Sequence, residues 1–193
     1  MPLPEKHERF TFADCLSWKE DERIEIIDGE AFMMAPPSRI HQEVSMAISA
    51  QLYNFLEGKR CKVYHAPFGV RLFERDGDSP DTVDTVVEPD ISVVCDPEKL
   101  DKYGCKGAPD LIVEILSPST QRHDQLVKLN LYQRAGVREY WIVDPENRTV
   151  RVMVQTGDGI FRTHEVYRQN DIAKVNVLNG CFIELDKVFP EQP

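Results

Sequence analysis

Residues 109–117 read Pro-Asp-Leu-Ile-Val-Glu-Ile-Leu-Ser, and the chain is organised around the stretch from Glu88 to Gly136 that contains them. Leu111, Ile112, Val113, Ile115 and Leu116 place apolar side chains on both faces of a strand, the pattern of a buried strand in a covered sheet. Glu114 interrupts that run. A carboxylate in such a position is costly unless a metal or another cation compensates it. Upstream, Glu88-Pro89-Asp90 leads into a second apolar run, Ile91 to Val94; downstream, a polar helix carries Asp124 and Lys128. Two carboxylates entering adjacent strands, with a lysine on the following helix, predict a divalent-metal site for phosphodiester chemistry.

With 193 residues, 41% hydrophobic and 29% charged, the chain is expected to form one domain over 1–193 with a substantial core. No apolar run approaches the roughly 18 residues of a membrane span. The start Met1-Pro2-Leu3-Pro4-Glu5-Lys6 lacks the pattern of a secretory signal, so a cytoplasmic location away from membranes is expected. Cys15, Cys61, Cys95, Cys105 and Cys181 are odd in number and contain no C-x-x-C pair, which predicts free thiols and neither a zinc site nor a disulfide framework. The net charge of -10 argues against passive adhesion to nucleic acid, whose phosphates attract Lys and Arg. Any such contact must rest on a local basic patch or on metals. The densest basic run, Lys59-Arg60-Cys61-Lys62, lies where cations complement a helix C-terminus.

In chain order, Thr11 caps a short amphipathic helix to Lys19, with Asp14 three residues on. Arg23–Ile27 and Glu30–Met34 form a hairpin joined by Asp28-Gly29, a strong type I′ turn signal. Ser38 caps a helix to Glu57 that buries Val44, Ile48, Leu52 and Phe55 and stops at Gly58. Strands follow at 62–66 and 69–73, then an acidic loop at 74–81. After the strand at 91–94 comes a second loop, 96–109, and then the strand bearing Glu114. Ser117-Pro118-Ser119-Thr120 opens a helix ending near Gly136, on which Asp124, Lys128 and Tyr132 share a face. Further strands are expected at 137–143, 149–154, 160–166 and 181–185. The order predicts an α/β (α+β) chain with a mixed sheet and a β-rich C-terminal extension.

Pro89-Asp90 followed by Glu114 in an apolar strand resembles the PD-(D/E)XK nuclease superfamily. The likeness is closer to its Uma-type branch of restriction-endonuclease-like proteins. Glu25-Ile26-Ile27-Asp28-Gly29-Glu30, Pro36-Pro37-Ser38 with His41, Glu88-Pro89-Asp90-Ile91, Glu114 to Thr120, Asp124 with Lys128, and Gly136 to Pro145 carry it, in that order. The resemblance implies a mixed sheet flanked by helices, DNA as partner, and Mg²⁺ or Mn²⁺ as cofactor. It assigns Asp90, Glu114 and the backbone carbonyl of Ile115 as metal ligands. In the superfamily pattern a lysine stands two residues after the glutamate. Here that position is Leu116, and the resemblance moves the role to Lys128 on the next helix. Homo-oligomers are common among similar nucleases, and the apolar tail around Val175, Val177, Leu178, Cys181, Phe182 and Ile183 serves either a second copy or the chain's own core.

Each assignment has a plainer alternative. Asp90 after Pro89 also suits a strand-initiating turn, and Glu114 an ion pair at a sheet edge. Lys128 can neutralise charge developing on a phosphate or pair with Asp124 one turn earlier. Glu25, His41 and Asp124 are accessory candidates. The expected activity is metal-dependent hydrolysis of DNA. The rival readings are a non-catalytic module of the same fold and a hydrolase of a small phosphorylated substrate.

Overall fold

The computed structural model describes residues 9–18, 23–117 and 123–189, with only the backbone at 123–125. Its centre is a six-stranded mixed sheet in the order β11-β10-β9-β8-β5-β3. These strands are β3 (Lys62–His65), β5 (Ile91–Val94), β8 (Leu111–Ile115), β9 (Glu139–Asp144), β10 (Thr149–Gln155) and β11 (Phe161–Arg168). All neighbours are antiparallel except β8 and β9. Strand β8 lies between β5 and β9, inside the sheet. Glu114 is therefore not an edge residue.

Alternation along β8 divides the core. Leu111, Val113 and Ile115 join Val44, Ile48 and Leu52 of helix α2 (Arg39–Leu56). Ile112, on the opposite face, joins Leu131 and Tyr132 of helix α3 (His123–Ala135). A helix thus covers each face, which is why the strand is apolar on both sides. Glu114 is one residue out of phase with Val113, so it falls on the α3 side.

The short helix α1 (Phe12–Cys15) begins at the expected Thr11 capping box. The hairpin of β1 (Ile24–Ile27) and β2 (Glu30–Met33) turns on Asp28 and Gly29 with φ of 49° and 83°. Two successive positive φ values are what a type I′ turn demands. Ser38 caps α2 by accepting a hydrogen bond from His41 N at 3.2 Å. The segment expected as a loop at 96–109 instead carries β6 (Leu100–Asp101) and β7 (Gly104–Lys106). With β4 (Val70–Arg71) they form a separate three-stranded sheet in the order β4-β7-β6. Gly104, at φ 126°, could not carry a side chain there, since a Cβ would lie 2.1 Å from Gly69 O.

The expectation of free thiols is corrected in part. Cys61 and Cys95 form a disulfide across the end of the β3–β5 pair. The register Lys62↔Val94 sets these two cysteines opposite each other, and no spacing rule in the sequence announces that register. Cys15, Cys105 and Cys181 are free. Among the described residues, no helix is long and apolar enough to cross a membrane.

The tail, with β12 (Ile172–Lys174) and β13 (Phe182–Glu184), packs on the chain's own core: Val175, Leu178, Cys181 and Ile183 are buried there. Phe182 stays exposed. Glu139 ties this tail to the sheet. It is fully buried and accepts from Trp141 Nε1 at 2.7 Å, Asn176 Nδ2 at 3.2 Å and Val177 N at 2.7 Å. Glu139→Ala orphans three donors and is expected to lower unfolding free energy by about 3 kcal/mol. Urea denaturation reads this directly, and a loss below about 1 kcal/mol would show that the donors find other partners.

Candidate active site

Three carboxylates meet on the α3 side of the sheet. Asp90 ends the Glu88-Pro89-Asp90 lead-in to β5, and Ala66 N donates to its carbonyl at 3.0 Å. Ile91 pairs with Val113, and continuing that antiparallel register sets Asp90 opposite Glu114. Ile115 N donates to Asp90 Oδ2 at 2.7 Å, which locks the aspartate to the strand bearing the glutamate. Glu25 comes from the middle of β1. Its Oε1 accepts from Glu88 N at 2.9 Å, next to the Arg23–Glu88 ion pair, so the hairpin is anchored at the same lead-in.

Helix α3 supplies the compensating groups. Lys128 Nζ donates to Glu114 Oε1 at 2.9 Å and to Glu25 Oε1 at 3.2 Å. Tyr132, one turn later, donates its hydroxyl to the same Glu114 oxygen at 2.5 Å. Leu131 is buried beside them, and Tyr132 meets Tyr140 edge to face at 5.1 Å. The four-residue spacing of Lys128 and Tyr132 brings both onto one carboxylate. Helix α2 supplies His41, whose Nε2 donates to Asp90 Oδ2 at 3.1 Å.

The electrostatics follow from burial and crowding. Burial pushes the Glu114 carboxyl up, Lys128 opposes this, and the charges of Asp90 and Glu25 add to it; the result is about 7. Burial disfavours the Lys128 ammonium, but Glu114 and Glu25 outweigh it and hold the lysine firmly protonated. Burial likewise disfavours charge on His41, yet the Asp90 hydrogen bond and the charges of Asp90 and Glu114 raise its pKa overall. Burial and the adjacent Glu114 keep Tyr132 a neutral donor.

Glu25, His41, Asp90, Glu114 and Lys128 all line one cavity of about 500 Å³. The sequence-derived candidates therefore converge, with one exception: the Asp124 side chain lies outside the described residues. The expected Asp124–Lys128 pair therefore falls outside what is described, while two carboxylates, from β1 and β8, hold the ammonium. The Tyr132 hydroxyl on Glu114 was not foreseen, although the shared helix face pointed to it.

Among the described residues, no group of three or more His, Cys, Asp or Glu side chains is gathered into a metal cage. Mg²⁺ seldom uses one. It commonly takes one or two carboxylates, keeps several waters and adds substrate phosphates. The donor set suits that habit. Asp90, Glu114 and Glu25 each commit one oxygen to the bonds above, and the second oxygen of each accepts no hydrogen bond among the described residues. Hard, anionic oxygens at one cavity, with a strand carbonyl at Ile115 alongside, fit a small divalent cation.

The profile of the Uma2 family, described as "Putative restriction endonuclease", matches residues 12–186. The chain belongs to the Uma2 family. This Uma2 chain is 27% identical over 149 residues to an uncharacterized protein of Synechocystis sp., covering 76% of this chain and 74% of that one. Its fold is similar to the crystal structure of "a putative nuclease belonging to DUF820" from Anabaena variabilis. The TM-score is 0.70 with 19% identity, over 93% of this chain and 97% of the other. At that identity the likeness speaks for the fold, which is the restriction-endonuclease-like mixed sheet flanked by helices.

Proposed function

We propose that this Uma2 chain is a divalent-metal-dependent endonuclease that hydrolyses phosphodiester bonds in DNA. The observation that carries the reading is the placement of Lys128 Nζ between Glu25 and Glu114, in the cavity that also holds Asp90. On this reading Lys128 of α3 takes the part of the lysine that the superfamily pattern would put at Leu116. Family membership and the nuclease named among similar structures support the same reading.

Asp90, Glu114 and the Ile115 carbonyl would hold Mg²⁺ or Mn²⁺. Such an ion, when bound, polarises the phosphoryl oxygens and lowers the pKa of bound water. His41 and Ile115 N fix the rotamer of Asp90, so its free oxygen is presented without reorganisation. Tyr132 and Lys128 do the same for Glu114. Lys128, kept protonated, offers a positive charge beside the place where phosphate charge develops, a kind of preorganised stabilisation worth a few kcal/mol. Glu25 positions the ammonium from the hairpin side.

The test is cleavage of single-stranded and duplex DNA with Mn²⁺ and with a chelator. Cut products are expected only with metal. The rival reading, a nuclease-fold module without catalysis, is favoured by Leu116 at the usual lysine position and by the acidic surface. Bound Mn²⁺ with no cleavage of any DNA would establish that rival.

A further inference from the structure

The cavity around the carboxylates is larger and more apolar than a metal site requires. Phe32 pairs directly with Glu25 across the β1–β2 hairpin. Residues directly opposed on an antiparallel pair project to the same face, so the ring stands beside the carboxylate cluster. Phe32 is 42% exposed, and Met46, on the α2 wall of the same cavity, is 63% exposed. Large apolar side chains left open around a concave site with a polar floor mark a ligand surface.

The α2 wall also holds unused polar groups. His41, Ser45 and Ser49 follow at four-residue steps and all line the cavity. His41 Nδ1 and Ser49 Oγ are buried and have no hydrogen-bond partner among the described residues. At the helical rise per residue they lie about 12 Å apart along the axis. Buried polar atoms without partners are uncommon and call for an explanation. A ligand with hydrogen-bonding groups spread over that length would satisfy both.

The charge that the described residues give the cavity is unsuited to a duplex. Among its described lining residues, Arg23 and Lys128 are the only Lys or Arg. Arg23 is committed to Glu88, and Lys128 to Glu25 and Glu114. Duplex affinity comes mainly from several cations neutralising phosphates. An unpaired nucleotide makes other demands: a flat base face to stack on an aromatic side chain and a polar base edge to hydrogen-bond. About 500 Å³ is in the range of a small-molecule pocket.

We infer that the cavity takes one unpaired nucleotide of a single DNA strand, its base against Phe32 and Met46 and its phosphate at the Asp90–Glu114 end. This rests on the nuclease reading for the strand chemistry, so its test is a binding test that does not depend on cleavage. Fluorescence anisotropy in Ca²⁺ buffer compares a short labelled DNA strand with the same strand annealed to its complement. A deoxynucleoside monophosphate serves as competitor. The single strand is expected to bind about tenfold or more tightly than the duplex, and Phe32→Ala to weaken it by about tenfold, the loss of one base–aromatic stack. Phe32→Trp should keep the affinity, and Met46→Ala gives an independent second loss at an exposed position. Equal or tighter duplex binding, no binding of either DNA, or affinity unchanged by both truncations would overturn the inference. So would a monophosphate that competes at concentrations as low as the strand, which would assign the cavity to free nucleotides. Single-strand binding without metal-dependent cleavage would uphold the cavity's ligand and reject catalysis alone.

Discussion

Asp90→Asn is expected to weaken Mn²⁺ binding by at least about 100-fold, the upper end of what losing even an outer partner of a metal ligand costs. The geometry makes this substitution unusually clean. Ile115 N and His41 Nε2 both donate to Asp90 Oδ2, and an asparagine carbonyl oxygen in that place accepts the same two bonds. The amide nitrogen then falls where Oδ1 was, the oxygen with no hydrogen-bond partner among the described residues. An NH₂ group cannot ligate a hard cation. Volume is conserved, and the link between the β5 lead-in and β8 survives, so thermal unfolding of the metal-free variant should match wild type within about 1 kcal/mol. Calorimetric titration with Mn²⁺ on both proteins decides it. Equal affinity would remove Asp90 from the metal site and leave it as the turn residue that its position after Pro89 also suits.

The parts of this site that were legible in the sequence share a physical cause. Glu114 stood out because its neighbours Ile112, Val113 and Ile115 left it no solvated face, and burial in β8 bears that out. Asp28-Gly29 fixed the hairpin because few dipeptides tolerate two positive φ values. That turn sets Phe32 opposite Glu25, yet the pairing's consequence, an aromatic ring beside the carboxylates, emerges only once Glu25 is known to face inward. Long-range pairing hid the rest. Whether Val70 joins the main sheet or pairs with Cys105 is settled by the chain between them, not by its own residues. The Cys61–Cys95 bridge likewise depends on how β3 meets β5. Lys128 was ambiguous for the same reason: helical spacing pointed to a partner one turn away, and no local rule points to Glu114 and Glu25, which lie 14 and 103 residues away in sequence.

Lys128→Met should separate enzyme from module, and the structure changes what to expect of it. The methionine keeps most of the lysine's packing along α3 while deleting the charge. An exposed pair between neighbouring helical turns would cost only about a few tenths of a kcal/mol to lose. But the ammonium is shared by Glu25 and Glu114, both buried, and removing one member of a buried ion cluster strands the remaining charges at a cost of about 3–5 kcal/mol. The Glu114 carboxyl already sits at about 7 with the lysine present, so the variant can relieve the repulsion by keeping a proton there. Wild-type Glu114, raised above its ordinary value by burial, favours folding most at low pH and loses that contribution as pH rises through about 7. Deleting Lys128 moves the loss further in the same direction. The stability deficit of the variant should therefore be small well below pH 7 and grow above it, which denaturation at two pH values can read. Turnover is a separate quantity. If the charge acts chiefly on the transition state, metal-dependent cleavage should fall by about 100-fold or more under conditions where the variant is fully folded. A variant that loses stability as described but cleaves DNA at the wild-type rate would confine Lys128 to charge compensation in the fold, and the catalytic role would have to pass to another group in the cavity.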